Sequence, residues 1–164
     1  MDQQLVAVAK QAGNALKAKG LKLSTAESCT GGWVSMALCA AGDSGDFFTS
    51  GFITYTNSAK VRLLRVEQAT LERHTAVSEP VVCEMVQGAL AASGEQVALA
   101  ISGYAGPEGG ADGTPAGSVW FAWGGEAIGL CAEKRHFDGD SESVIHQAAL
   151  FALTRLTQLL QAAG

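Results

Sequence analysis

The stretch Leu23-Ser-Thr-Ala-Glu-Ser-Cys-Thr-Gly-Gly32 decides how the rest of the chain is arranged. Apolar and polar side chains alternate over residues 21–25, which is the pattern of a short strand. Directly after the two glycines, apolar residues recur at helical spacing from Trp33 to Ala40. The segment is therefore predicted to contain a strand, a tight turn and the start of a helix.

The predicted turn carries three polar residues and two glycines, which are Ser28, Cys29, Thr30, Gly31 and Gly32. Bare backbone N–H groups at the positive end of a helix suit a nucleophile with an oxyanion hole. The same residues also suit an ordinary helix N-terminus, because Ser and Thr are preferred caps and glycines are common in turns. The stretch alone leaves both interpretations open.

Composition limits the class of protein. The 164 residues are 48% hydrophobic and 16% charged, with a net charge of -5, which disfavours both disorder and a basic nucleic-acid footprint. No apolar run is long enough to span a membrane, and the first residues lack the pattern of a secretory signal. We therefore expect one domain over residues 1–164, in the cytoplasm, with neither nucleic acid nor a membrane as partner.

Four widely spaced cysteines are present, Cys29, Cys39, Cys83 and Cys131. They form no C-x-x-C pair and the histidines are not clustered, so neither a metal site nor a disulfide framework is predicted. Cys29 differs from the other three because of its neighbours, and it stays a candidate thiol nucleophile.

Hydrophobic periodicity predicts alternating helices and strands along the chain. Helices are predicted from Leu5 to a stop at Gly20, from the N-cap Asn57 through Leu64, from Ser78-Glu79-Pro80 onward, and after Asp138 with a core stripe of Ile145, Ala149, Ala152, Leu156 and Leu159. Strands are predicted at residues 47–56, 97–101, 117–123 and 127–137, the last two joined by a tight Gly124-Gly125 turn, and residues 67–74 are a loop or short helix. The predicted fold is a three-layer α/β/α sandwich with a mixed sheet, in which catalytic loops gather at strand ends.

Lys60 is the best candidate for a base that activates a serine. It follows the predicted N-cap of a helix, where the dipole and burial both lower the pKa of an amine, and a neutral lysine can act as a general base. The alternative is a solvated surface lysine. Tyr55 precedes it at a strand end, where its hydroxyl can point into the same space, although an ordinary strand aromatic also fits.

Residues 102–115 form a long predicted loop with five glycines and two prolines, a composition usually retained for function. Together with three other segments, this loop resembles the CinA C-terminal domain family. The four segments are Thr25-Ala-Glu-Ser-Cys-Thr-Gly-Gly32, Gly51-Phe-Ile-Thr-Tyr-Thr-Asn-Ser-Ala-Lys60, Ala76-Val-Ser-Glu-Pro80 and Ser102-Gly-Tyr-Ala-Gly-Pro-Glu-Gly-Gly110. The resemblance implies deamidation of nicotinamide mononucleotide to nicotinate mononucleotide and ammonia in pyridine nucleotide recycling.

The resemblance also implies roles for individual residues. Ser28 is the nucleophile, Lys60 its base and Tyr55 a supporting hydroxyl. Thr30, Gly31 and Gly32 lie near the oxyanion, and the Gly-rich loop holds ribose and phosphate through its backbone, by way of Ser102, Gly103, Gly106, Gly109 and Gly110. No metal or other cofactor is implied, and the family is expected to form homodimers.

Two features of this chain differ from the family pattern. Tyr104 stands where the family usually has a small aliphatic residue. Ser141, Ile145 and His146 stand where the family commonly has arginines, so His146 is the one remaining candidate cation for phosphate. We therefore expect a weakened preference for the nucleotide over the riboside, with nucleotide binding that improves below about pH 6.5 as His146 is protonated. Two alternatives stay open, a catalytically silent nucleotide-binding regulatory module and a thiol hydrolase that uses Cys29.

Overall fold

The computed structural model describes all 164 residues. In chain order the elements are α1 Gln3–Ala18, β1 Leu23–Glu27, α2 Trp33–Ala40, β2 Phe48–Ile53, α3 Asn57–Leu64, α4 Gln68–His74, α5 Glu79–Ser93, β3 Val97–Gly103, β4 Ser118–Gly124, β5 Cys131–His136 and α6 Ser141–Ala162, with one 3-10 turn at Ser44–Asp46. The strands form one sheet of order β2-β1-β3-β4-β5. β1 pairs in parallel with β2 and β3, whereas β4 pairs antiparallel with both β3 and β5, so the predicted mixed sheet is confirmed.

Helices cover both faces of this sheet and enclose two apolar clusters. On one face, α1, α2 and α6 pack around residues such as Leu16, Leu38 and Trp123. On the other face, α3, α4 and α5 pack around Leu64, Met85 and neighbouring alanines of the strands. This arrangement is the predicted three-layer α/β/α sandwich. No helix is both long and apolar enough to cross a membrane.

The first strand begins two residues later than predicted and is buried along its whole length. The alternation of apolar and polar residues therefore does not indicate that one face of the strand is exposed to solvent. Leu23 faces the α1, α2 and α6 layer, whereas the Ser24 hydroxyl donates to the carbonyl of Ser50 at 3.0 Å. A buried parallel strand accepts a polar side chain when a backbone carbonyl takes its hydrogen bond.

Two further features differ from prediction for local reasons, whereas residues 67–74, predicted as a loop or short helix, contain the short helix α4. Thr56, not Asn57, is the N-cap of α3, because its backbone is extended and its hydroxyl accepts from the N–H of Ala59 at 3.1 Å. The predicted Gly124-Gly125 turn is wrong, because Gly124 ends β4 and residues 125–130 make a longer connection closed by the bond from the Gly129 N–H to the Gly125 carbonyl.

The carboxyl ends of β1, β2 and β3 meet at one edge of the sheet. The Thr54 N–H donates to the Glu27 carbonyl at 2.8 Å, and the Ser28 N–H donates to the Ile101 carbonyl at 3.0 Å. The chain leaves β1 over one face of the sheet and returns to β3 over the other face. Such a switch point opens a crevice at the strand ends, which is where ligands bind in open α/β sheets.

Candidate active site

A cavity of about 430 Å³ lies in this crevice. Its volume is within the range of small-molecule pockets. The lining comes from the turn after β1, the start of α3, the loops after α4 and β3, and the first turns of α6. The lining residues are Ser28, Cys29, Tyr55, Asn57, Lys60, Ala76, Val77, Ser102, Gly103, Tyr104, Ala105, Gly106, Glu108, Ser141 and Ile145.

Ser28 and Lys60 meet at the floor of the cavity. The Lys60 Nζ lies 2.9 Å from the Ser28 Oγ, and the two residues are 1% and 6% exposed, respectively. The amine also donates to the carbonyl oxygens of Thr54 at 2.8 Å and Tyr55 at 3.3 Å. Lys60 is in the first turn of α3, and α3 is held close to α5 at Gly88, where a Cβ would overlap the Leu64 carbonyl.

Burial lowers the pKa of Lys60 to about 8, because removing the ammonium from water disfavours its charged form. No carboxylate lies within ion-pairing distance of the amine to restore the charge. A neutral amine keeps two N–H donors and one lone pair. The two carbonyl oxygens can take both donors, which leaves the lone pair directed at the Ser28 hydroxyl.

The start of α2 is already occupied by a carboxylate. Glu27 accepts from the N–H groups of Val34 at 3.0 Å and Ser35 at 2.9 Å. The Gly31 N–H donates to the Ser28 carbonyl at 3.0 Å. The N–H groups of Gly31, Val34 and Ser35 therefore bind oxygens of the protein, although the sequence predicted an oxyanion site at this helix start.

Thr30, Gly31 and Gly32 do not line the cavity. The Thr30 hydroxyl turns away and donates to Glu27 at 2.6 Å. The N–H of Cys29, by contrast, donates to no oxygen of the protein and belongs to a residue of the cavity wall. The free backbone donor beside Ser28 is thus one residue after the serine, before the glycines.

Tyr55 reaches the serine and the lysine through its backbone. Its carbonyl oxygen accepts from Lys60 and lies 3.3 Å from the Ser28 Oγ. The side chain is 71% exposed at the mouth of the cavity. The structure therefore places the Tyr55 side chain at the entrance of the cavity, whereas the sequence predicted a hydroxyl that supports Ser28 and Lys60.

The Gly-rich loop contributes only its first half to the cavity. Ser102, Gly103 and Gly106 line it, whereas Gly109 and Gly110 do not. The Gly110 N–H donates to the Thr114 carbonyl at 2.8 Å, so this part of the loop folds on itself. The Ser102 hydroxyl donates to the Ala76 carbonyl at 2.8 Å and joins two walls of the cavity.

The first turns of α6 are rotated relative to the prediction. Ile145 lines the cavity and does not join the core stripe, while His146 points elsewhere and lies 2.8 Å from the Asp2 carboxylate. Successive helical residues are about 100° apart, so neighbours face different surroundings. Ser141 lies at the cavity wall, where its hydroxyl donates to the Gly106 carbonyl at 2.7 Å. His146 therefore does not reach a ligand in this cavity.

Charge is sparse around the cavity. Lys60 and Glu108 are the only charged lining residues, and Glu108 is exposed at the rim. The sequence did not identify Glu108 as a lining residue, nor Glu27 as a neighbour of the site. For Glu27, the only signal was its place at the end of the predicted first strand. No group of three or more His, Cys, Asp and Glu side chains can hold a metal ion.

A family model described as the CinA C-terminal domain matches residues 5–160. The chain belongs to the CinA C-terminal domain family. Among its relatives is Protein YdeJ of Escherichia coli K12, 52% identical over 145 residues that cover 88% of this chain and 84% of that protein. Another is the nicotinamide-nucleotide amidohydrolase PncC of the same strain, 46% identical over 160 residues that cover 96% and 95% of the two chains.

Solved structures of the CinA superfamily share the fold. A family member from Klebsiella pneumoniae superimposes with a TM-score of 0.94 at 46% identity, covering 96% of this chain and 98% of that one. A family member from Escherichia coli superimposes with a TM-score of 0.92 at 47% identity, covering 97% and 92%. Both matches therefore cover nearly the whole of this chain.

Proposed function

We propose that this chain hydrolyses the carboxamide of nicotinamide mononucleotide to nicotinate mononucleotide and ammonia, as a step of pyridine nucleotide recycling. The chain is an amidohydrolase, as its relatives named nicotinamide-nucleotide amidohydrolase PncC indicate at 42% to 46% identity. The observation that carries the mechanism is the 2.9 Å contact between the buried Lys60 amine and the Ser28 hydroxyl. A buried amine with a pKa near 8 beside a serine can serve as its base at neutral pH.

The reaction begins when the neutral Lys60 amine takes the proton of Ser28 while the Oγ attacks the carboxamide carbon. The carbonyl oxygen becomes an oxyanion, and the N–H of Cys29 is the free donor beside the attacking atom. The Lys60 ammonium then gives its proton to the departing nitrogen, which leaves as ammonia. The product of this half is an acyl ester on Ser28.

Water completes the cycle. The Lys60 amine, neutral again, takes a proton from a water molecule that attacks the acyl ester. Collapse of the second tetrahedral intermediate breaks the ester bond and returns the proton to the Ser28 Oγ, which releases the carboxylate product. Each half thus uses the same pair of residues, and the carbonyl oxygens of Thr54 and Tyr55 hold the amine in place throughout.

Ser28→Ala tests this proposal. We expect ammonia release from nicotinamide mononucleotide to disappear while the circular dichroism spectrum and melting temperature stay close to those of the natural protein. Ser44→Ala is the matched control, because the Ser44 hydroxyl binds only backbone carbonyls near α2 and lies outside the cavity. Full activity in folded Ser28→Ala contradicts the serine mechanism. Nucleotide binding without ammonia release in the natural protein supports the silent regulatory module instead.

We also propose that the chain works as a homodimer in the cytoplasm. Apolar side chains are exposed at the β2 edge of the sheet and on the adjoining helices, among them Ile53 at 54%, Met36 at 55% and Leu63 at 47%. An edge strand with exposed apolar neighbours is a surface that proteins usually cover. Light scattering coupled to gel filtration measures the mass, and a monomeric mass at micromolar concentration contradicts the proposal.

A further inference from the structure

Glu27 is a fully buried carboxylate with no cationic partner. It is 0% exposed, and no lysine, arginine or histidine lies within ion-pairing distance. Its two oxygens instead accept four hydrogen bonds, two from backbone N–H groups of α2 and two from hydroxyls. The donors are the Val34 N–H at 3.0 Å, the Ser35 N–H at 2.9 Å, the Thr30 hydroxyl at 2.6 Å and the Ser35 hydroxyl at 2.6 Å.

Such an arrangement joins three parts of the chain at one point. Glu27 is the last residue of β1, Thr30 lies in the following turn, and Ser35 is in the first turn of α2. Burying a carboxylate is costly unless hydrogen bonds and a helix dipole compensate for its lost hydration. Together the four bonds compensate for that burial and fix the turn between the strand and the helix.

We infer that Glu27 is a positioning residue for the nucleophile. Ser28 is the next residue in the chain, and its backbone is held on one side by β3 and on the other by the turn that Glu27 closes. This inference rests on the proposed function only in taking Ser28 as the attacking group. Glu27 itself does not line the cavity and acts through the placement of the Ser28 Oγ and the Cys29 N–H.

Glutamine cannot reproduce this role. Its side-chain nitrogen would replace one of the carboxylate oxygens and meet an N–H donor of α2, so one bond becomes a contact between two donors. Either that bond is lost or the turn shifts, and a shift of about 1 Å at a nucleophile can cost about a hundredfold in rate. The size and shape of the side chain stay nearly the same, so packing is preserved.

The experiment measures kcat, KM and the pH profile of Glu27→Gln at a temperature well below its melting point. We expect kcat to fall about 10- to 100-fold with KM within about twofold. On the acidic side of the pH–rate profile, the rate should still rise with an apparent pKa near 8, because that pKa belongs to Lys60 and Glu27 does not contact Lys60. Ser35→Ala removes one hydroxyl donor and keeps the N–H, so its kcat should fall less. Glu133→Gln is the matched control, because Glu133 binds Arg155 at 2.9 Å outside the cavity.

Acylation of Ser28 by p-nitrophenyl acetate, followed as a burst of nitrophenol, gives a second readout that needs no nicotinamide substrate. We expect a slower burst in Glu27→Gln and none in Ser28→Ala. A burst without ammonia release in the natural protein contradicts the proposed function and leaves the inference on Glu27 testable. The absence of a burst in the natural protein overturns both.

Three other results overturn the inference about Glu27. The first is an unchanged kcat in folded Glu27→Gln. The second is a change in the apparent pKa on the acidic side of the pH–rate profile, which would mean that the Glu27 charge acts on Lys60. The third applies if Glu27→Gln does not fold, in which case Ser35→Ala and Thr30→Val are measured instead. Natural kcat values in both of these folded variants would show that the turn does not need the Glu27 hydrogen bonds to position Ser28.

Discussion

The floor and the rim of the cavity are built in opposite ways. At the floor, Ser28 and Lys60 are at most 6% exposed and lie 2.9 Å apart, and Glu27, the residue before Ser28, is fully buried outside the cavity. At the rim, Tyr55 is 71% exposed and Glu108 stands on a loop in contact with solvent. Chemistry that depends on a depressed pKa needs the dry floor, whereas recognition is left to residues that can change without disturbing it. Substitutions at the floor should therefore remove the reaction, and substitutions at the rim should redirect it.

The largest expected effect is that of Lys60→Arg. Arginine keeps the positive charge but does not release its proton near neutral pH, so kcat should fall about 10³- to 10⁴-fold. In the natural protein, kcat/KM should rise with pH and level off above about pH 8, as the amine becomes neutral. The residual kcat/KM of the variant should not show this rise with pH.

Lys10→Arg provides the control for the arginine substitution, because Lys10 is exposed on α1. Its rate and its pH profile should match those of the natural protein. If Lys60→Arg keeps more than about a tenth of the natural kcat, Lys60 binds substrate and is not the base.

The next effect separates Cys29 from the exposed cysteine Cys39. Burial, reinforced by the nearby Glu27 charge, raises the pKa of Cys29 from 9.0 to about 12. Since the thiolate is the reactive form, Cys29 has about a thousandfold less of it at neutral pH than an unshifted thiol. Iodoacetamide should label Cys39 while activity stays within twofold. Peptide mass spectrometry measures the labelling of each cysteine, and an ammonia assay measures the activity. Cys39→Ala should remove that label, and activity lost in step with labelling of Cys29 would restore the thiol mechanism.

A third effect concerns stability, where the buried lysine works against the fold. The pKa of Lys60 is about 8 in the folded protein, against 10.5 for an unperturbed lysine. Between these values the unfolded chain binds more protons, so the free energy of unfolding rises with pH over that window, by up to about 3 kcal/mol. Lys60→Met lacks this contribution. Urea titrations of both proteins at pH 7 and pH 10 measure the difference, and parallel pH dependences would contradict a depressed pKa.

The fold was largely predictable because its signals are local and agree with one another. Buried apolar runs such as residues 97–101 predicted central strands, and amphipathic stripes predicted the helices that cover them. The proximity of Ser28 and Lys60 followed from the same logic, since Ser28 follows β1, Lys60 lies in the first turn of the helix after β2, and the carboxyl ends of these two parallel strands share one edge.

The details of the site depend on how elements are rotated against one another, and a single sequence does not fix that. A helix turns about 100° per residue, so the cavity receives Ile145 while His146 meets Asp2. At the start of α2, Glu27 accepts from the N–H groups of Val34 and Ser35, while Thr30, Gly31 and Gly32 lie outside the cavity. Both outcomes depend on the direction in which a side chain or a backbone N–H points, which local propensity does not specify.

The smallest expected effect is at the rim and concerns phosphate. The relatives named amidohydrolases act on a nucleotide, yet the only cation lining this cavity is Lys60, which is engaged at the floor. Glu108 lies at the rim of the cavity, and the first turn of α6, which supplies Ser141 to the cavity wall, also carries Glu142. Like charges repel, so kcat/KM for the nucleotide should exceed that for the riboside by less than about tenfold.

Ile145→Arg sharpens this prediction, because residue 145 lies on the cavity wall and a guanidinium there can bind phosphate through two hydrogen bonds. The ratio of kcat/KM for nucleotide and riboside should rise about tenfold, or about 1.4 kcal/mol of discrimination. His146→Arg is the matched control one residue away, and it should leave the ratio within twofold, since that side chain faces Asp2. For the same reason, His146 should not contribute to nucleotide binding in the natural protein, contrary to the expectation from sequence. If the natural protein already discriminates several hundredfold and Ile145→Arg adds nothing, the phosphate is held by backbone N–H groups of the Ser102 to Gly110 loop, and the rim recognises its ligand without a cation.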